Sequence, residues 1–332
     1  MKGPQLNWPC TAFRKIGYRE SHLIGAERTA ARTRRKERSV PRLRFGFKTP
    51  QQHTSYQDVL TVWQEADAIP AYEHGWLFDH LNPVDTASAV GPEIVGPCFE
   101  PWTLLTALAT QTSRLRLGLM TGCNTYRDPA MHAQIAAHAD VISGGRIDYG
   151  MGAGWTVYEH ESRNIPLPPP AERIKRMEEG IIIARRLWTE DAVTHEGRYY
   201  QVREARVAPK PVQQPHPPIL IGGSGEQVTL RVVARQADLW NYANGDIETF
   251  RHKVRVLHQH CAEVGRDPKE IELSTQYRVD RDDLSGAVRD IQAFVDAGVT
   301  HVVLIMPRPF QSGLATHLAE KIVAKIRPAE AA

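Results

Sequence analysis

The feature that most constrains the fold is a regular alternation of short apolar runs and helical patterns, which continues from residue 43 to residue 326. Buried strands that alternate with helices form a parallel sheet. Eight such runs are present, and eight parallel strands close a (β/α)8 TIM barrel. A doubly wound sheet is the alternative, but it has no natural place for two further strands. The runs are 43–47, 75–79, 115–122, 146–152, 218–223, 237–241, 271–277 and 301–306.

Helical patterns follow or separate these runs. The segment 129–142 illustrates them, because its apolar positions recur at steps of four, three and four residues, as in a helix that buries one face. Those positions are Met131, Ile135, His138 and Ile142. The other helices are predicted at 56–69, 101–112, 225–236, 247–264, 285–297 and 312–326.

The stretch between the fourth and fifth runs, residues 153–217, is longer than the other connections. Within it, residues 171–188 carry a helical stripe of their own. The sequence therefore predicts an α/β protein, a TIM barrel with an insertion after strand 4. Such an insertion lies at the carboxyl-terminal face of the barrel, where the active sites of this fold are found.

Charge divides the chain into a basic head and a mildly acidic body. Residues 1–42 carry 11 Lys and Arg against 3 Glu, whereas the rest carries 30 basic against 35 acidic residues. The body, a single domain over 43–330, therefore does not indicate a nucleic-acid partner. We expect residues 1–42 to be a disordered, dispensable extension. Two alternatives stay open: a tail that binds nucleic acid or an anionic surface, and a start of translation at Val40.

Hydropathy and cysteine usage indicate a cytoplasmic protein. No apolar stretch approaches the roughly 18 residues of a membrane span, and the basic head lacks the apolar core of a secretory signal. The four cysteines, Cys10, Cys98, Cys123 and Cys261, are scattered without a C-x-x-C pair. This spacing favours a reducing compartment and no zinc site. We expect no membrane partner and no nucleic-acid partner.

Two glycine clusters follow buried runs. The first, "IDYGMGAGW" (147–155), resembles a dinucleotide-binding loop, but the prolines at 166, 168, 169 and 170 exclude the compact βαβ unit that such a loop requires. The second, "GGSGE" (222–226), ends the fifth run and opens a predicted helix. Free amides at a helix N-terminus bind anions, so a phosphate site is predicted there. A tight turn is the alternative.

Several stretches resemble the bacterial-luciferase-like flavin monooxygenase superfamily, and most closely its branch that uses the deazaflavin coenzyme F420. They are "RFGF", "DH" at 79–80, the run 114–155, and the segments 171–190, 195–202 and 217–226. The resemblance spans roughly residues 43–326. It implies a TIM barrel that binds its cofactor at the carboxyl ends of the strands. It also implies a bulge in the third strand with a non-prolyl cis peptide, at Met120–Thr121.

The same resemblance assigns site residues. His80 is expected near the reacting carbon as the catalytic residue, although a loop histidine that only bonds nearby backbone is the alternative. Trp155 stands over the pocket where F420-dependent glucose-6-phosphate dehydrogenases have a glutamate, which argues against a sugar-phosphate substrate. Asn124 bonds the ring or its ribityl chain, or else occupies a turn. The expected cofactor-binding residues are Asp79, Met120, Thr121, Asn124, Gly152, Gly154, Trp155, Gly222, Gly223, Ser224 and Gly225.

The segment "YEHE" (158–161) has alternating acidic residues around a histidine, which could suggest metal ligands. A solvated helix start fits the pattern better, and we predict no metal. Cys123 is interpreted as a packed small residue rather than a nucleophile.

The predicted function is an F420-dependent oxidoreductase that transfers a hydride between ring carbon C5 of F420 and a small organic substrate. An FMN-dependent monooxygenase that uses O2 is the first alternative. A non-catalytic flavin-binding or nucleic-acid-binding module is the second. We also expect a homodimer, and the sequence does not identify the substrate.

Overall fold

The computed structural model describes residues 42–84, 95–243 and 245–329. The extension predicted at 1–42 lies outside the described residues, apart from Arg42, and remains a prediction.

Eight parallel strand positions close into a barrel, because the first strand pairs with the second on one side and with the last on the other. The ring runs β1–β2–β3–β5–β8–β9–β10–β11 and back to β1. The predicted TIM barrel is thereby confirmed, and the doubly wound alternative is wrong. The strands are β1 (Arg44–Lys48), β2 (Tyr72–Leu77), β3 (Arg116–Leu119), β4 (Gly122–Cys123), β5 (Ile147–Gly152), β6 (Val193–Glu196), β7 (Gln201–Ala205), β8 (Ile219–Gly222), β9 (Leu239–Tyr242), β10 (Glu272–Arg278) and β11 (His301–Ile305).

The third strand position is split by a bulge. Both β3 and β4 pair with β5, and the two residues between them, Met120 and Thr121, are joined by a cis peptide bond. The cis peptide that the family resemblance implies is therefore confirmed. The predicted insertion is confirmed as well, since α4, α5 and the antiparallel hairpin β6–β7 all lie between β5 and β8.

The helices form the outer layer. They are α1 (Tyr56–Asp67), α2 (Pro101–Gln111), α3 (Pro129–Ser143), α4 (Val157–Glu161), α5 (Pro170–Thr189), α6 (Thr229–Gln236), α7 (Ile247–Glu263), α8 (Leu284–Asp296) and α9 (Leu314–Lys321). Local signals fix several starts, such as the capping box of Ser55 and Asp58 on α1 and Asp128 followed by Pro129 on α3. Among the described residues, no helix is long and apolar enough to cross a membrane.

The buried face of α3 differs from the prediction. Met131 and Ile142 are 62% and 51% exposed, whereas the buried side consists of small residues such as Ala133, Ala136 and Ala137. Small side chains let α3 approach its neighbours closely, which the spacing of large apolar residues could not reveal. The two ends of the predicted apolar stripe therefore face outward, whereas Ile135 between them is partly buried against the core.

Side chains that alternate along the strands fill the barrel interior. Trp76, Met120, Leu220, Leu239 and Val303 form a compact apolar cluster. Towards the amino-terminal end, the interior instead contains paired charges. Asp148 accepts hydrogen bonds from Arg116, and its Oδ2 lies 3.3 Å from His74 Nε2. Burial would raise the pKa of Asp148, but these neighbours hold that pKa well below its usual range.

Candidate active site

A cavity of about 1350 Å³ opens at the carboxyl ends of the barrel strands. Nine of the twelve predicted site residues line it and are thereby brought together at this face of the barrel. These nine are Asp79, His80, Met120, Thr121, Gly152, Gly154, Trp155, Gly222 and Gly223.

Asn124, Ser224 and Gly225 do not line the cavity. Asn124 is buried and donates through Nδ2 to the hydroxyl of Tyr200, at 3.1 Å. The loop after β8 continues through a turn, and α6 begins only at Thr229, four residues after the predicted start at 225. Thr229 rather than Ser224 therefore brings the helix start to the cavity wall.

The glycines around the bulge are required by the protein itself. A Cβ at Gly150 would overlap the carbonyl oxygen of Leu119, and one at Gly152 would overlap Oγ1 of Thr121. A Cβ at Gly222 would lie 2.7 Å from Cγ2 of Thr121. The bulge between β3 and β4 can thus pack against β5 and β8 only where those strands carry no side chain. This explains the glycine-rich run by packing, in addition to any approach of a ligand.

Asp79 fixes the far side of the same bulge. Its Oδ2 accepts from the Cys123 amide at 2.7 Å and from Arg127 Nη1 at 2.6 Å. Burial is the largest influence on the pKa of Asp79 and raises it, while Arg127 and the Cys123 amide act in the opposite direction. Burial also raises the pKa of the Cys123 thiol to about 12, which agrees with its interpretation as a packed residue. Asp79 therefore connects the end of the second strand to the backbone after the cis peptide.

His80 is oriented by a buried carboxylate that the sequence interpretation missed. Its Nδ1 lies 2.8 Å from Oε2 of Glu159, a residue with no exposed surface. The same oxygen accepts from the Tyr126 hydroxyl at 2.6 Å, and the amides of Leu81 and Asn82 donate to Oε1. A carboxylate accepts a hydrogen bond here, so Nδ1 carries the proton. Within the described residues, the other ring nitrogen, Nε2, has no hydrogen-bond partner.

Hydrogen bonds from its neighbours keep Glu159 ionised. Burial alone would raise its pKa, but the hydrogen bonds from His80 and Tyr126 outweigh burial and lower the pKa to about 2. Burial and the nearby negative charge raise the pKa of Tyr126 above its usual range, so its hydroxyl stays a donor. Trp155 packs edge-on against the imidazole of His80, with ring centroids 5.5 Å apart. The imidazole is thus held from two sides.

The interpretation of residues 158–161 as a solvated helix start is wrong at its two central positions. Glu159 and His160 are both buried. His160 lies with Nδ1 2.6 Å from the Thr156 carbonyl and Nε2 2.7 Å from the Thr125 hydroxyl. The alternation of acidic and other residues resembles a solvated turn, but α4 lies beneath the loop after β2. Only the proximity of His80 in space reveals the role of Glu159.

Sequence reasoning also missed the cations of the cavity. Lys48 and Arg278 end β1 and β10, and Arg308 follows β11; all three line the cavity. Burial, together with the smaller effect of the charge of Arg278, lowers the pKa of Lys48 to about 7. The available signal was the strand 272–278, in which Ser274, Gln276 and Arg278 alternate with other residues and mark a polar inner face.

One further cation lines the cavity from the insertion between β5 and β8. Arg173, in the first turn of α5, lines the cavity together with Gly223 and Thr229. Its Nε is buried without a hydrogen-bond partner among the described residues. A buried guanidinium nitrogen without a partner is costly unless a ligand supplies the acceptor. This wall therefore fits an anionic group such as a phosphodiester.

Comparison with known proteins agrees with this architecture. Residues 43–322 match the luciferase-like monooxygenase family. An F420-dependent glucose-6-phosphate dehydrogenase of Microbacterium testaceum (strain StLB037) is 30% identical over 247 residues, which cover 72% of this chain and 70% of the relative.

Two solved structures share the fold. An F420-dependent secondary alcohol dehydrogenase, in complex with an F420–acetone adduct, has a TM-score of 0.75 at 17% identity and covers 86% of this chain and 99% of that chain. The F420-dependent tetrahydromethanopterin reductase of Methanopyrus kandleri has a TM-score of 0.69 at 19% identity, covering 86% and 100%. The family match extends over the whole barrel and its insertion, and the structure contains the cis peptide that the resemblance implied. The chain therefore belongs to the luciferase-like monooxygenase family.

Proposed function

We propose that this protein is an F420-dependent oxidoreductase that transfers a hydride between ring carbon C5 of coenzyme F420 and a small organic substrate. The observation that carries the proposal is the His80–Glu159 pair, which holds one imidazole nitrogen of a cavity residue in place, while the other has no partner in the part of the chain that the structure describes. The F420-dependent glucose-6-phosphate dehydrogenase among the relatives supports the choice of cofactor.

The cavity fits F420 by its chemistry. The β3–β4 bulge, with Met120 and Thr121 on the cavity wall, offers a surface for the ring. Arg173 and the glycine loop after β8 offer donors for the phosphodiester of the side chain. We propose that Asp79, through its contact with the Cys123 amide, keeps this bulge in the position that the ring requires.

When bound, F420 supplies a hydride donor or acceptor at C5 that reacts poorly with oxygen. The side chains of the protein must therefore donate or accept the proton that accompanies the hydride transfer. Because Nδ1 of His80 donates to Glu159, any proton exchanged with the substrate is held at Nε2. A protonated Nε2 can donate to an oxygen on which negative charge develops, and a neutral Nε2 can accept the proton of an alcohol. The Glu159 carboxylate stabilises the positive imidazolium in either direction.

Equilibrium binding tests the proposal. We expect the purified protein to quench the fluorescence of F420 at micromolar concentrations, and to bind FMN at least about tenfold more weakly. Arg173→Gln should weaken F420 binding while leaving the unfolding temperature unchanged, because Arg173 Nε makes no hydrogen bond to the described residues. The matched control is Arg251→Gln, which removes an exposed arginine on α7 outside the cavity. Tight binding of FMN with no binding of F420 would overturn the proposal in favour of a flavin monooxygenase.

A further inference from the structure

Three buried polar atoms inside the barrel have no hydrogen-bond partner among the described residues. They are Nδ1 of His74, Nε1 of Trp76 and Nε2 of His301. The three residues are at most 1% exposed, so bulk solvent does not reach these atoms. A buried polar atom without a partner costs free energy, and three of them close together point to a ligand that satisfies them jointly.

The three rings are neighbours in the barrel interior. The imidazoles of His74 and His301 have centroids 4.7 Å apart, and the indole of Trp76 lies 5.9 Å from each of them. β1 places no side chain beside the indole nitrogen, because a Cβ on Gly46 would lie only 3.2 Å from Trp76 Nε1. One small molecule can therefore reach all three atoms.

A series of hydrogen bonds from the cavity decides where His301 carries its hydrogen. As an ammonium group Lys48 can only donate, and it donates to Oε1 of Gln276. Nε2 of Gln276 then donates to Oδ1 of Asn241 at 2.6 Å, and Nδ2 of Asn241 donates to the hydroxyl oxygen of Ser274 at 2.9 Å. The hydroxyl hydrogen of Ser274 is left for Nδ1 of His301, 2.9 Å away. Because burial lowers the pKa of His301 well below its usual range, the neutral ring carries its single hydrogen at Nε2.

The facing histidine, His74, presents an acceptor instead. Its Nε2 lies 3.3 Å from Oδ2 of Asp148 and 3.4 Å from Nη1 of Arg44. The contact with Asp148 decides the tautomer, because this carboxylate also accepts from Arg116, is ionised and can only accept. The guanidinium of Arg44 has its own partner in Glu272. With the hydrogen at Nε2, a neutral His74 leaves Nδ1 as an acceptor.

One water molecule matches this set of two donors and one acceptor. Its two lone pairs accept from Trp76 Nε1 and His301 Nε2, and one of its hydrogens is donated to His74 Nδ1. Three hydrogen bonds are typical of a water buried in a protein. An anion could not donate to His74 Nδ1, and a metal cation could not accept from the two N–H groups.

We propose that one water molecule is bound in the barrel interior by Trp76, His74 and His301. This water closes the gap in a column of hydrogen bonds that begins at Lys48 in the cavity and ends at Asp148 towards the amino-terminal end of the barrel. Every donor in the column points away from Lys48.

The column gives the water a role at the candidate active site. Three of its side chains, Lys48, Asn241 and Gln276, line the cavity. Hydrogen bonds in series polarise and strengthen one another. The water therefore helps to fix the orientation in which these three polar groups face a ligand, whichever cofactor occupies the cavity.

Nuclear magnetic resonance of protein labelled with nitrogen-15 in tryptophan and histidine gives the first test. We expect the indole N–H of Trp76 and the Nε2–H of His301 to show Overhauser cross-peaks to water, with the sign of a molecule that tumbles with the protein. Trp188, whose indole N–H donates to the Ala133 carbonyl, is the internal control and should show none. A wild-type protein in which either expected cross-peak is missing would overturn the inference.

The nitrogen-15 shifts of the two histidines give the second test, near neutral pH. We expect both rings to be neutral with the hydrogen at Nε2. A His301 with its hydrogen at Nδ1, or a doubly protonated His74, would overturn the inference, since either would present the wrong set of donors to the water. This reading needs only the wild-type protein.

Two variants test the column itself. Ser274→Ala removes the hydroxyl that selects the tautomer of His301, so part of the Nε2–H population should be lost to Nδ1–H. Thr275→Ala is the matched control, because it removes the neighbouring buried hydroxyl, which donates to the Tyr242 carbonyl, and it should leave His301 unchanged. An unchanged His301 tautomer in folded Ser274→Ala would contradict the column.

Discussion

At the residue scale, His80 and Glu159 act as a pair. In the proposed reaction, the imidazole exchanges a proton, and the carboxylate holds the imidazole in one tautomer. General acid–base assistance contributes about 10²–10⁴ to a rate, so His80→Ala should lower kcat at least about a hundredfold. The affinity for F420, measured by fluorescence quenching, should change little. A folded His80→Ala protein with wild-type kcat would show that His80 is the loop histidine of the alternative interpretation.

Glu159 also makes stability depend on pH. Its pKa is about 2 in the folded protein, against 4.5 for an ordinary glutamate. A lowered pKa stabilises the folded state above pH 4.5, and that contribution disappears as the pH falls towards 2. We expect about 2 kcal/mol of unfolding free energy to be lost over this interval, after allowance for solvent screening.

Denaturant unfolding of Glu159→Gln at several pH values checks this contribution. The variant should be less stable than the wild type at pH 6, and the difference should shrink by pH 3. Glu248→Gln, which alters an exposed glutamate, is the control and should follow the wild type. A Glu159→Gln stability curve parallel to the wild-type curve would contradict the assignment of an ionised, hydrogen-bonded Glu159.

At the scale of elements, the bulge between β3 and β4 is held by its neighbours. A Cβ added at Gly152 would overlap Oγ1 of Thr121, so Gly152→Ala should cost roughly 1–3 kcal/mol of stability and weaken F420 binding. Thr121→Ala removes the overlapping oxygen. The double variant should therefore be more stable than the sum of the two single effects, measured by denaturant unfolding. Simple additivity would show that Gly152 does not pack against the bulge.

The elements also show which parts of the fold can be predicted from sequence patterns. All eight barrel strands were predictable, because runs such as 147–152 and 301–305 are buried on both faces and are largely apolar, with one polar residue each. The buried face of α3 was not predictable, because its alanines give a weaker hydrophobic signal than the exposed Met131 and Ile142. The start of α6, which follows the glycine loop after β8, was predicted four residues too early.

The site residues also differed in how well local sequence could predict them. Residues at or soon after the ends of strands, such as Gly222 at the end of β8 and His80 after β2, could be placed because strand ends share one face of a barrel. Glu159 could not, since its role depends on a contact with His80 across 79 positions of the chain. Lys48 and Arg278 were overlooked because a terminal cation on a strand usually reaches solvent, and only the closed barrel places both on the cavity wall.

At the scale of the whole molecule, the two exposed apolar side chains of α3 bear on the expected homodimer. Met131 and Ile142 lie three turns apart on one exposed side of the helix. Exposed apolar side chains at helical spacing favour contact with a second copy. We expect light scattering to give a dimer for the wild type, and a monomer for the double variant Met131→Lys and Ile142→Lys. A dimer that persists in this variant would place the interface elsewhere, and a monomeric wild type would contradict the expected dimer.

The most direct measurement follows the hydride itself. Reduced F420 that carries deuterium at C5 is incubated with the protein and a panel of carbonyl compounds and activated alkenes, and the products are analysed by mass spectrometry. The account predicts that deuterium appears on the reduced carbon of a product without consumption of O2, and that His80→Ala slows its appearance at least about a hundredfold. A product that contains oxygen from O2 and no deuterium, formed only when FMN is supplied, would contradict it.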